Sequence, residues 1–156
     1  DHRDLHKEYR RQRQMCIRDR NKKMYYKEQT VIYLNGAYIK ASDANANLYS
    51  QTLHYGNGVF EGIRSYNTED GVRIFKAKEH FDRLHYSAKK MHINLNISSD
   101  KLEKITYQLL KLNHLKNAYI RPLVYLGENM SLTDCNDVNI VMPALGPSLG
   151  VAPSGT

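Results

Sequence analysis

The chain has 156 residues, of which 41% are apolar and 25% charged, with a formal net charge of +7. That length suits one domain of ordinary size, and the apolar share can build a core. No apolar run approaches the roughly 18 residues that span a membrane, no signal-peptide pattern is present, and Cys16 and Cys135 are too few for a disulfide framework or a cysteine-built metal cluster.

Residues 1–20 read as a translated sequencing-library adapter, with the run from Gln14 to Arg20 as its most characteristic part. They hold seven Lys or Arg against four Asp or Glu, so they carry +3 of the +7 and leave +4 for the rest. We expect this leader to be irregular or disordered and foreign to the fold, with a natural start at Met24. The alternative is a genuine basic arm that contacts RNA or phospholipid. With Cys16 set aside, Cys135 is a single thiol, and a reducing cytoplasm is the expected compartment.

A small N-terminal α+β domain is expected over 21–142. Val31 to Leu34 and Tyr38 to Lys40 flank Asn35 and Gly36, a pair that tolerates positive φ at both positions and so predicts a two-residue hairpin turn. Asp43 to Asn47 suits a polar connection. Val59 to Tyr66 and Val72 to Lys76 predict a second strand pair around the turn-rich Asn67 to Gly71. From Ala77 to Met91 the apolar positions Ala77, Phe81, Leu84, Ala88 and Met91 recur at helical spacing, with His80, Arg83 and Ser87 beside the stripe. Ser98, Ser99 and Asp100 offer capping side chains to a second helix over about 99–113. Tyr119 to Gly127 and Val138 to Met142 predict two more strands. The order of elements points to a small, mainly antiparallel sheet with two packed helices. From Pro143 the composition shifts abruptly, and 143–156 read as a divergent or truncated linker, or a frameshifted end.

Two stretches carry the chemistry. His54 to Arg64 interleaves Gly56, Gly58 and Gly62 with Tyr55, Phe60, Glu61 and Arg64, which is the composition of a site rather than of a core. Ala118 to Leu123 places Tyr119 and Arg121 two residues apart, on one face of a strand and among apolar neighbours, as an anion receptor would require. The plainer reading is that Tyr119 packs on the sheet and Arg121 snorkels.

These stretches, with Val31 to Gly36 and Lys78 to Leu84, resemble the branched-chain amino acid aminotransferases over about Met24 to Met142. The resemblance implies pyridoxal phosphate dependence and the fold shared with D-amino acid aminotransferases and aminodeoxychorismate lyases, of which this chain is the small N-terminal domain. It implies that Arg83 binds the cofactor phosphate. Phe60, Gly62 and Tyr119 would line an apolar substrate pocket, joined by Tyr55 from the partner subunit of a homodimer. Arg64, Tyr119 and Arg121 fall near the substrate carboxylate or the second carboxylate of glutamate. Met130 and Leu132 lie in a loop that closes the pocket from the other subunit. The Schiff-base lysine would lie in a large domain beyond this chain, and Lys116, in a polar turn, is no substitute. The expected reaction is exchange of the amino group of leucine, isoleucine or valine with 2-oxoglutarate, and the chain is expected to be inactive alone.

The rivals are a D-amino acid aminotransferase or aminodeoxychorismate lyase of the same fold and, in another class, a non-catalytic basic nucleic-acid-binding domain. A metal site is not expected: His80 and His85 lie five apart, off a common helical face, and there is no HExxH or CxxC pattern. Neither a P-loop nor a Gly-x-Ser-x-Gly elbow occurs. Glu61 is read as a hydrogen-bonding residue of its turn, not as a general base.

Overall fold

The computed structural model describes residues 26–146. The expectations for the leader at 1–20, the start at Met24 and the end of the chain at 147–156 lie outside the described residues.

The first hairpin forms as its turn residues require. Strands β1 (Val31–Leu34) and β2 (Ala37–Lys40) flank Asn35 and Gly36, at φ 47° and 99°. Both signs are those of the turn whose twist matches two paired strands. The Asn35 side chain then fixes the next pairing. Its carbonyl oxygen accepts from the Ile140 amide at 2.8 Å, while the Asn35 amide donates to the Ile140 carbonyl at 3.0 Å.

Beyond the hairpin come a 3-10 turn at Ala41–Asp43, the short helix α1 (Gln51–Tyr55) and the strands β3 (Gly58–Phe60), β4 (Ile63–Thr68) and β5 (Gly71–Ile74). Helices α2 (Ala77–Lys90) and α3 (Ser99–Leu112) follow, then β6 (Ala118–Ile120), β7 (Leu123–Leu126), β8 (Val138–Met142) and β9 (Ala144–Leu145). The Ser98 hydroxyl caps α3 by accepting from the Lys101 amide at 3.2 Å. At the other end Asn113 imitates a strand residue: its side-chain amide gives a proton to the Val31 carbonyl and accepts one from the Val31 amide, both at 2.8 Å.

The α+β class is as expected, whereas the sheet is two sheets. One runs in the order β2-β1-β8-β7-β3 and the other β5-β4-β6-β9, every pairing being antiparallel. The continuous strands expected over Val59 to Tyr66 and Tyr119 to Gly127 are each broken, at Glu61-Gly62 and at Arg121-Pro122, where the chain passes from one sheet to the other. A third passage at Pro143 separates β8 from β9, so the segment read as linker begins inside the second sheet. Proline has no amide proton for a ladder, which explains why two of the three breaks fall on one. The three passages are stitched together: the Glu61 amide donates to the Pro122 carbonyl and the Arg121 amide to the Pro143 carbonyl, each at 3.1 Å.

One core serves both sheets. Val59, Ile63, Ile120, Val124, Ile140 and Met142 project from the strands onto Phe81 and Leu84 of α2 and Leu102 and Leu109 of α3. The Thr106 hydroxyl, buried among them, donates to the Leu102 carbonyl at 2.8 Å, which makes a polar group tolerable there. Phe81 is fully enclosed. Phe81→Ala is expected to lower stability by about 3–5 kcal/mol, read as a fall in the urea midpoint with an unchanged slope. A cost below about 1 kcal/mol would mean that the two sheets do not share this core.

Candidate functional site

The three passages between the sheets place charged side chains on a rigid seam. Glu61, only 6% exposed, sends its carboxylate across to α2. Arg83 meets it side-on: Nε donates to Oε1 and Nη2 to Oε2, both at 2.6 Å. His80 Nδ1 lies 3.0 Å from Oε2. His80 and Arg83 stand three residues apart on one helix, so they share a face and converge on one acceptor. The Arg83 hydrogen bond is the main influence holding the Glu61 carboxyl below the usual carboxylate range, against the opposing effect of burial and with further help from His80. The same pairing raises the Arg83 pKa. Among the described residues Arg83 Nη1 has no hydrogen-bond partner, and the side chain is 63% exposed. Its free edge is suited to an oxyanion.

A second cluster adjoins the first through the next residue. A Cβ built on Gly62 would lie 2.8 Å from the Tyr119 hydroxyl, so glycine is what lets the ring come this close. Arg121 donates to that hydroxyl from Nε at 3.1 Å and from Nη2 at 2.9 Å. Its guanidinium carbon is 5.2 Å from the ring centroids of both Phe60 and Tyr119, at cation–π distance. Arg64 stands directly opposite Tyr119 in the β4–β6 ladder, and residues opposite one another share a face. Phe60, Gly62, Arg64, Tyr119 and Arg121 thus come together on one side of the seam, with Arg83 next to it through Glu61.

Tyr55, Met130 and Leu132 form a separate group. The Tyr55 hydroxyl donates to the Met130 carbonyl at 3.0 Å, and all three side chains are exposed. No hydrogen bond among the described residues joins them to the seam. A polar cavity of about 660 Å³, lined by His92, Asn96, Lys101 and Asn136, and an apolar one of about 250 Å³, lined by Leu34, Leu53, Leu123 and Val141, touch none of the sequence-predicted residues. Of those residues Arg64 and Tyr119 are half-buried and the others exposed.

Glu61 corrects an expectation. Its carboxylate does not bond within its own turn but anchors a helix, and its amide bonds to Pro122. The signal available in the sequence was the spacing of His80 and Arg83, two groups able to serve one carboxylate. Gln51 was also missed; it is buried under the loop that carries Met130.

The chain matches the family described as Amino-transferase class IV over residues 58–149. It is 42% identical over 103 residues to a branched-chain-amino-acid aminotransferase of Pseudomonas aeruginosa, a match that covers 65% of this chain and 34% of that protein. Among solved structures, the branched-chain amino acid aminotransferase of Escherichia coli superposes with a TM-score of 0.73 and 34% identity, over 76% of this chain and 40% of the other. A further branched-chain amino acid aminotransferase, complexed with N-(5'-phosphopyridoxyl)-L-glutamate, gives 0.72 and 31%, over 79% and 42%. The chain spans about a third of the length of the curated relatives it matches.

Because the Glu61 carboxyl is depressed in the folded protein, its contribution to stability is complete above the unfolded value of about 4.3 and is lost as pH falls through the folded value. Glu61→Gln is expected to cost about 1–3 kcal/mol near neutral pH. The gap between variant and parent should close on acidification, in denaturant titrations repeated at several pH values. A gap that stays constant down the acid limb would remove Glu61 from the ion pair.

Proposed function

The chain belongs to the class IV aminotransferases, and from that premise we propose that it is the N-terminal part of a homodimeric, pyridoxal-phosphate-dependent branched-chain aminotransferase. The whole enzyme would move the amino group of leucine, isoleucine or valine to 2-oxoglutarate, in the cytoplasm. The observation that carries this reading is that three consecutive residues at one passage between the sheets serve two arginines: Glu61 pairs with Arg83, whose Nη1 has no partner among the described residues, while Phe60 and Gly62 adjoin Arg121 and Tyr119. The names of the similar proteins from Pseudomonas aeruginosa and Escherichia coli support the substrate class. The similar structure complexed with a phosphopyridoxyl-glutamate supports the cofactor. No helix among the described residues is long and apolar enough to cross a membrane.

The residues present fit the cofactor's phosphate. Arg83 offers the free edge of a guanidinium whose other edge Glu61 has already oriented, so the donors need little ordering on binding. Pyridoxal phosphate, when bound, supplies an electron sink for the amino acid's α-carbon. Arg64, Tyr119 and Arg121 would orient the amino acid through its carboxylate. Phe60 and the Tyr119 ring, which fills the space over Gly62 that a Cβ would take, would form the wall against its side chain and exclude water from it. Tyr55, Met130 and Leu132 would complete the wall from the partner subunit, which accounts for their separation from the seam within one chain.

Two measurements test the reading. Full-length protein supplied with leucine and 2-oxoglutarate should form glutamate; failure with all three branched substrates, alongside turnover of a D-amino acid, would favour the D-amino acid aminotransferase. Arg83→Ala should weaken cofactor binding by about 10–100-fold, the worth of one or two charge-assisted hydrogen bonds, in spectroscopic titrations of the apoenzyme. Unchanged affinity would take the phosphate away from Arg83.

A further inference from the structure

We propose that Gln51 is a positioning residue for substrate selection: it holds the 129–133 loop against α1 so that Met130, Leu132 and Tyr55 act as one apolar surface. The inference rests on the aminotransferase reading above, and it concerns a residue that makes no contact with substrate itself.

Gln51 opens α1 and is 3% exposed. A buried primary amide must find partners on both its nitrogen and its oxygen. Here the nitrogen donates to two loop carbonyls, those of Ser131 and Thr133, each at 3.0 Å. The oxygen accepts from the Asn57 side chain at 2.9 Å, inside the glycine-rich segment that leads to Phe60. The Gln51 backbone N–H also donates to the Gly127 carbonyl at 2.7 Å, where the loop leaves β7. The side chain thereby ties the helix bearing Tyr55 to the approach to Phe60 and to the 131–133 segment of the loop, while the backbone of the same residue holds the loop where it leaves β7.

The geometry of the loop follows from that clamp. Carbonyls 131 and 133 both turn inward to one nitrogen, and Leu132 between them is 81% exposed. Met130 is held from the other side, its carbonyl accepting from Tyr55. Asn129 braces the same turn, its side-chain oxygen accepting from the Ser131 amide at 2.8 Å and the Ser131 hydroxyl at 2.7 Å. Three exposed apolar side chains are thus displayed by inward-facing polar backbone. Their chemistry suits a branched aliphatic side chain and offers nothing to a carboxylate. Loosening the clamp should therefore weaken recognition of leucine far more than that of glutamate.

The test uses the full-length enzyme with Gln51→Met, which keeps the length of the side chain and removes its hydrogen bonds. The KM for leucine should rise about tenfold, the worth of a modest apolar contact, while the KM for glutamate moves by less than about twofold and kcat is retained for both. Tyr55→Phe, which frees the Met130 carbonyl but keeps the ring, should shift the leucine KM in the same direction by a smaller factor. It serves as the second test should Gln51→Met fail to fold. Equal rises in both KM values, a fall in kcat at constant KM, or no shift in either variant would overturn the proposal. Parent enzyme that does not transaminate leucine would instead overturn the functional reading, and this inference with it.

Discussion

A carboxylate with almost no access to water must be paired, and the pairing of Glu61 with Arg83 is the constraint on which the arrangement of the site depends. Glu61 sits where the chain leaves one sheet for the other, and its partner is on a helix that packs beneath both. Moving α2 by even part of a turn would strand the charge. The ion pair therefore sets the position of Arg83 relative to the seam, and it does so more sharply than apolar packing, which tolerates small slides. Phe60 and Gly62, its two neighbours in sequence, adjoin Arg121 and Tyr119. Three consecutive residues thereby couple the helix that would hold a phosphate to the cluster that would hold a carboxylate.

Much of this was legible because it is local. The Asn35-Gly36 turn, the helical spacing of Phe81, Leu84 and Ala88, and the Ser98 cap all depend on residues within a few positions of each other, and all form as expected. The sheet passages were not legible, because an apolar run such as Val59 to Tyr66 has the same alternation whether it stays in one sheet or crosses to another. What ends β3 is the pairing of Phe60 with Leu123, and what begins β4 is that of Ile63 with Ile120, both with partners some sixty residues away in the chain. Pro122 was the available hint. The helix α1 was missed because five residues are too few to show a period. Glu61 was misread for a related reason: a lone acid among glycines says nothing of a partner 22 residues on.

The split between the seam residues and the group of Tyr55, Met130 and Leu132 has a physical consequence for the isolated chain. Leu48, Tyr49 and Leu53, from the same stretch as Tyr55, join those three in being exposed, and exposed apolar side chains gathered in one region mark a surface for burial. The polar backbone beneath it is satisfied by Gln51 and Tyr55, so the loop is held in place rather than exposed by disorder. A surface that is ordered, apolar and uncovered is one prepared for burial, and the reading as one part of a larger dimeric enzyme supplies what would bury it.

The two best-defined arginines are held in different ways, and the difference matches their proposed tasks. Arg83 is tied by a carboxylate, which cancels its charge locally but fixes its plane; that suits a group such as a phosphate, which brings two charges and must stay in one place. Arg121 is tied only by a neutral hydroxyl and two ring faces, and keeps its full charge. Contacts of that kind are weaker and less directional, so the guanidinium can be drawn toward a side-chain carboxylate when one arrives and can lie against the rings when an aliphatic side chain takes its place. The proposed reaction would bring glutamate in one half-reaction and leucine in the other, which calls for a cation that can be present or withdrawn, and a charge parked on aromatic faces would meet that need where a salt bridge would not.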